Sequence, residues 1–268
     1  FDVAVESLDM PSTIGLNNAP FTLEGTLKNY GGTTITSATI NYSVNGGTAV
    51  TTNLTGLSIA PYDSYTWTHS TNWTPSSTGN YTVDIYASPV NGTFDQNTSN
   101  DTLSAAIEVL TATADRVVLA EEFTSSTCGP CASFNPTYKD LLDDNDANTS
   151  TGRVTSVKYQ MNWPSPGNDP AYNQEAADRR VAYGINGVPD VVYAGSNIPT
   201  SQANIDLVKN IPALAELDAE WSATGTYIQC DATVDALANL GSNVVLHMAM
   251  IEKEISHNVQ TNGETTFY

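Results

Sequence analysis

The chain has 268 residues and carries 9 Lys plus Arg against 29 Asp plus Glu, a formal net charge of −20. A surface this acidic repels nucleic acid and anionic lipid, and no apolar run approaches the roughly 20 residues that span a bilayer. Apolar residues make up 40% and cluster periodically between turn signals, which excludes a disordered chain; charged residues are only 14%, so the surface must lean on Ser, Thr, Asn and Gly.

The sequence opens on Phe1-Asp2-Val3 and reads as a mature or trimmed chain whose signal segment is gone. Residues 1–110 predict strands. Partial period-two alternation runs through Phe1–Leu8, Phe21–Asn29, Ala38–Val44, Thr48–Leu54, Tyr65–His69, Tyr81–Ala87 and Leu103–Val109. Asn45-Gly46-Gly47 is a hairpin signal, and Gly31-Gly32 and Asn91-Gly92 mark further turns. Seven short strands at this spacing predict an immunoglobulin-like β-sandwich without an inter-sheet cysteine pair, with Trp67 and Trp73 in its core.

After Thr111 the pattern changes. Val117-Val118-Leu119-Ala120 is a continuous apolar run of the kind buried on both faces of a sheet. A helix is expected from about Pro130 to Asp143, a strand over Val154–Tyr159, a loop over Trp163–Pro170 and a helix over Asn173–Tyr183. A strand over Val191–Tyr193 and a helix over Ser201–Asn210 follow, and Pro212 stops the latter. The alternation predicts an α/β domain. Strands return over Asp218–Ala223, Tyr227–Val234 and Val244–Ile251, and Thr265–Tyr268 looks like the start of another, as if the chain ended inside a larger β domain.

Chemistry concentrates in Thr127-Cys128-Gly129-Pro130-Cys131, two thiols three positions apart where a strand gives way to a helix. At a helix N-terminus the unpaired amides and the dipole stabilise a Cys128 thiolate, the attacking species in thiol–disulfide exchange, and Cys131 lies within bonding reach. Gly129 permits the tight turn, and Pro130 suits an early helix position.

The motif resembles the thioredoxin superfamily. The resemblance extends to Pro136 inside the helix, to Glu122 six residues before Cys128, and to Gly187-Val188-Pro189 before a strand. It implies a cis bond at Pro189, a proton-relay role for Glu122, and substrate-backbone binding by Val188 and Pro189 beside Thr127, Gly129 and Pro130. Departures are Thr127 where the family has Trp, Asp190 where it has Thr, and Glu122 where it has Asp. Ser125 to Cys131 and Tyr183 to Pro189 are also similar to a family of outer-membrane-associated proteins of Bacteroidota-type bacteria, which implies an exported, often lipid-anchored protein.

Other readings stay open beside these. Cys128 and Cys131 could form a static disulfide or half of a zinc site, although zinc needs four ligands and His69, His247 and His257 are scattered. Cys230 reads as a small buried hydrophobe. Asp95, Asn97, Asn100 and Asp101 offer the oxygen ligands calcium prefers, but lack the glycine and terminal glutamate of an EF-hand, so a solvated turn is favoured. The full expectation is an α+β multidomain chain: an immunoglobulin-like sandwich over 1–110, a thioredoxin-like α/β domain over 111–212 and a β segment over 213–268. Its function would be extracytoplasmic thiol–disulfide exchange, periplasmic or at the outer membrane. Cys128 would attack, Cys131 resolve and Glu122 assist, with no metal and no cofactor beyond the cysteine pair. Partners would be exported protein thiols or disulfides and a membrane-linked redox protein, not nucleic acid, with outer-membrane association through a lipid anchor outside these residues. The alternative is a non-catalytic cell-surface or outer-membrane interaction protein with a structural disulfide, and exposure of the Cys128 sulfur separates the two.

Overall fold

The computed structural model describes residues 1–165 and 167–254, which fall into two compact units. The first comprises Phe1–Ala114 with Pro212–Gly241, the second Asp115–Ile211 with the described residues from Ser242.

In the first unit, β1 (Val3–Leu8), β2 (Thr13–Gly15), β3 (Glu24–Asn29), β4 (Ile35–Val44), β5 (Val50–Ile59), β6 (Ser64–Thr68), β7 (Gly79–Val90) and β8 (Thr102–Leu110) form two sheets. Their orders are β1-β3-β6 and β2-β8-β7-β4-β5. Each of the seven alternating runs holds a strand. β2 is additional; it pairs parallel to β8, and its three residues are too short for alternation to register. Period-two side chains turn Ile40, Val83, Ile85 and Ile107 of one sheet inward against Val3, Leu27 and Trp67 of the other. Each such aliphatic side chain contributes about 1.5–3 kcal/mol on burial. Trp67 and Trp73 lie in this core. The β4–β5 hairpin turns through Asn45 (φ 51°) and Gly46 (φ 68°), a left-handed pair that Asn-Gly adopts at least cost.

In the second unit, β9 (Val118–Thr124), α1 (Gly129–Asp143), β10 (Val154–Gln160), α2 (Gln174–Tyr183), β11 (Asp190–Tyr193), β12 (Ser196–Asn197) and α3 (Gln202–Lys209) build one sheet of order β10-β9-β11-β12 with three helices. Local chemistry sets the helix ends. Asn173 accepts from Ala176 N to begin α2, Gly184 ends it in the left-handed region at φ 67°, and Ser201 accepts from Asn204 N to begin α3. Val118, Ala120, Val191 and Tyr193 pack with Tyr138 and Leu142 of α1 and with Ile205 and Val208 of α3. A second cluster gathers Phe123, Met161, Val192 and Ile185 with Ala176 of α2. Successive β9 residues therefore divide between two helix-covered faces.

The expected α/β thioredoxin-like domain is corrected here. Among the described residues the chain has fourteen strands against three α-helices and is mainly β. In the second unit β9–β10 is a parallel pair, whereas β11 runs antiparallel to β9 and β12 antiparallel to β11. The strand–helix alternation thus closes on a mixed sheet: β11 runs antiparallel to β9, and the short Ala194-Gly195 turn returns β12 on β11 without a crossover.

β13 (Ala215–Thr224) and β14 (Tyr227–Ala236) form a two-stranded antiparallel hairpin. Cys230 is exposed on β14, not buried as expected. Val244–Ile251, expected as a strand, holds no regular element, since no neighbouring strand supplies a ladder for it. Thr265–Tyr268 lies outside the described residues.

Candidate functional site

The β9–α1 junction carries the cysteine pair. Cys128 and Cys131 are joined by a disulfide with Cα atoms 5.2 Å apart. Cys128 is the N-cap of α1, its Sγ accepting from Cys131 N at 3.1 Å, and Pro130 occupies the first turn, where it removes no hydrogen bond. Both cysteines are sealed: Cys128 is 1% exposed and Cys131 0%. Gly129 and Pro130 are exposed, and Thr127 is half-buried.

The Val188–Pro189 peptide is cis, and both residues are half-buried. Val188 O lies 3.6 Å from Cys128 Sγ, a contact rather than a hydrogen bond, because a disulfide sulfur has no proton to donate. Asp190 does not point a free carboxylate at the sulfurs. Its oxygens accept from Val191 N at 2.9 Å and from Asn197 Nδ2 at 3.2 and 3.3 Å. The 163–170 loop is fastened to the residues just before the disulfide. Thr127 Oγ1 donates to Pro164 O at 3.1 Å, and Ser126 N to the buried Asp169 Oδ2 at 2.8 Å.

Glu122 is 0% exposed and faces α1. Lys158, its register partner on β10, stands 3.4 Å from Glu122 Oε2. With its amide turned so that the oxygen meets Thr124 Oγ1, Asn135 Nδ2 donates to Glu122 Oε1 at 2.8 Å and to Cys131 O at 3.0 Å. A buried carboxylate needs such partners, and here they also tie it to the backbone of the second cysteine. Tyr138, in the same layer, has its phenol raised by burial first, then by Tyr193 and Glu122.

Sequence reasoning missed the neighbouring site on the opposite face. Glu121, also 0% exposed, accepts from Arg179 Nε at 2.7 Å and Nη2 at 2.9 Å, from Tyr183 OH at 2.6 Å and from Tyr159 OH at 3.0 Å. Burial alone would raise its pKa, but the Arg179 and tyrosine hydrogen bonds outweigh that and hold it low. Tyr159 and Tyr183 are each pushed up to about 12, by burial first and Glu121 next. A usable signal was present. Two adjacent acids in an apolar strand must face opposite ways, and Arg179 and Tyr183 share one face of α2 at i, i+4.

The site therefore unites Cys128, Cys131, Thr127, Gly129, Pro130, Val188, Pro189 and Glu122 around one junction. Among the described residues no three His, Cys, Asp or Glu side chains are gathered to hold a metal.

No family model matches the chain, and no curated protein matches it. Similar solved structures include the CARDB domain of a Pyrococcus furiosus protein in complex with di-metal ions, at 23% identity and TM-score 0.31, covering 40% of this chain and 92% of that one. A domain of a cell-surface protein from Methanosarcina acetivorans is 29% identical, with TM-score 0.35, covering 41% of this chain and 91% of the other. The resemblance to thioredoxins and to the outer-membrane family is corrected by these comparisons: no family model carries it, and the likenesses reported are to domains of another kind.

Proposed function

We propose that this is a non-catalytic, extracytoplasmic surface protein that binds a partner through its β domains and uses Cys128–Cys131 as a structural disulfide. The supporting observation is the sealing of both sulfurs at 1% and 0% exposure. Exchange requires an incoming thiolate to approach a disulfide sulfur, and a buried first cysteine denies that approach. The disulfide also supports the compartment, because such bonds persist in oxidising, extracytoplasmic surroundings. The cell-surface origin of the Methanosarcina domain agrees with the same setting. With a net charge of −20, the partner favoured at long range is cationic.

The test is reduction of the intact chain in graded dithiothreitol, with thiols counted by alkylation and mass spectrometry, alongside insulin reduction. The expected result is a pair that stays oxidised while folded and reduces fully only in denaturant, with insulin turnover no faster than for Cys128→Ser. Insulin reduction well above that variant would instead establish exchange by Cys128 and overturn the proposal.

A further inference from the structure

The β13–β14 ribbon is two-sided. Side chains directly opposite one another in an antiparallel ladder share a face. Leu217/Val234, Trp221/Cys230 and Ala223/Ile228 are such pairs, and the two remaining pairs on that face are alanines, so every side chain there is apolar. The other face carries Glu216, Asp218, Glu220, Asp231 and Asp235, and no Lys, Arg or His occurs between Ala215 and Ala236. Apart from the half-buried Ala215, both strands are exposed throughout. Leu217 is 67% exposed, Trp221 74% and Ile228 56%, so among the described residues this apolar face has no cover. An isolated hairpin is marginally stable in water, and a layer packed on its apolar face stabilises it by burying that face.

We propose that the apolar face of β13–β14 is a self-association surface, on which a second copy of this chain packs face to face. Charge selects that occupant. The face offers nothing to a cationic partner, which the acidic side would draw instead, and a net charge of −20 repels an anionic membrane. A second copy presents the same uncharged face, and stacking the two sends the carboxylates of both ribbons outward. Stacked sheets lie about 10 Å apart, already more than the screening length of about 8 Å at physiological salt, and the acidic faces lie farther apart still. Area agrees with a weak, reversible dimer. Ten residues per strand at about 3.4 Å each, on two strands about 4.8 Å apart, outline roughly 340 Å² before side-chain relief. Two such faces fall near or below the roughly 1,200 Å² at which standard interfaces begin. Cys230 supplies an independent observation. It is the cysteine left over by the Cys128–Cys131 bond, it is exposed, and it lies in this face opposite Trp221. A leftover cysteine of this kind points to contact with another molecule, and a second copy shields its thiol.

The experiment is sedimentation of the full chain across about 1–300 μM, bracketing the Kd of about 10⁻⁵–10⁻⁴ M expected of so small an interface. Trp221→Asp and Leu217→Asp should each weaken the dimer at least about tenfold. Phe94→Asp, at a loop position 82% exposed, should associate as the parent does. Raising the salt should tighten the dimer, because it screens repulsion between like-charged copies. Circular dichroism establishes that each variant is folded, and a second measurement needs no variant. Maleimide alkylation of Cys230 in the parent should slow several-fold as concentration rises through the Kd. A chain that stays monomeric leaves the face to a different protein and overturns the proposal. So would a dimer that neither ribbon variant weakens, weakening at high salt, or alkylation independent of concentration.

Discussion

Replacing Arg179 with Met should be among the most damaging single changes in the second unit. Glu121 has a side chain 1% exposed, and Arg179, 30% exposed, supplies two of its four hydrogen bonds. Breaking a buried ion pair from one side costs about 3–5 kcal/mol, because the remaining charge is stranded. Partial exposure of Arg179 and the surviving Tyr159 and Tyr183 bonds reduce this to about 2–3 kcal/mol. Glu121→Gln keeps the shape and part of the hydrogen bonding and should cost about 1–2 kcal/mol. The double variant should then be less damaged than the sum, with a coupling of about 1–2 kcal/mol. The pH dependence carries an opposite sign in parent and variant. In the parent the Glu121 pKa is held low, so its stabilisation is present above the ordinary carboxylate range and is lost as pH falls through the lowered value. In Arg179→Met burial acts unopposed by the guanidinium and raises that pKa. The deficit should be largest near neutral pH and shrink on acidification as Glu121 takes up a proton. A two-unit chain is not a two-state system, so the readout is hydrogen exchange of β9 and β10 amides across a urea series. A cost below about 0.5 kcal/mol, or a deficit that grows on acidification, would refute the claim that this pair holds α2 to the sheet.

Two further outcomes follow from the same bookkeeping. The Cys128→Ala/Cys131→Ala chain should lose about 2 kcal/mol in the second unit, since a loop of about four residues restricts the unfolded chain little, and hydrogen exchange of α1 would report it. Asp101 binds a proton more readily folded than unfolded, so stability of the first unit should rise as pH falls through about 6; Asp101→Asn should flatten that slope in pH-dependent urea melts and gain about 1 kcal/mol at neutral pH, discounted for solvent.

The sandwich was legible because its signals are local. Alternation through Ala38–Val44 and Tyr81–Ala87, with Asn45-Gly46 between β4 and β5, writes strand, face and turn into a few residues each. The partners of Glu121 were not legible, because Arg179 lies 58 residues away and only the packing of α2 on β9 brings them together. Burial of Cys128 was equally hidden. A motif specifies which atoms can bond, but access is decided by segments as remote as Val188, whose carbonyl oxygen lies 3.6 Å from Cys128 Sγ. Val244–Ile251 shows the converse, since an apolar segment is no strand without a neighbour to supply its ladder.

β9 explains why rigidity suits this junction. Its two adjacent acids face opposite layers, and each is bound by a helix: Glu121 by Arg179 of α2, Glu122 by Asn135 of α1. Asn135 also holds Cys131 O, so the carboxylate, the helix and the disulfide form one hydrogen-bonded block. Opening the disulfide to a protein substrate requires Cys128 Sγ to be reached and the first turn of α1 to yield. The network opposes both, because displacing that turn would strand a buried carboxylate at a cost of about 1–3 kcal/mol for each polar partner lost.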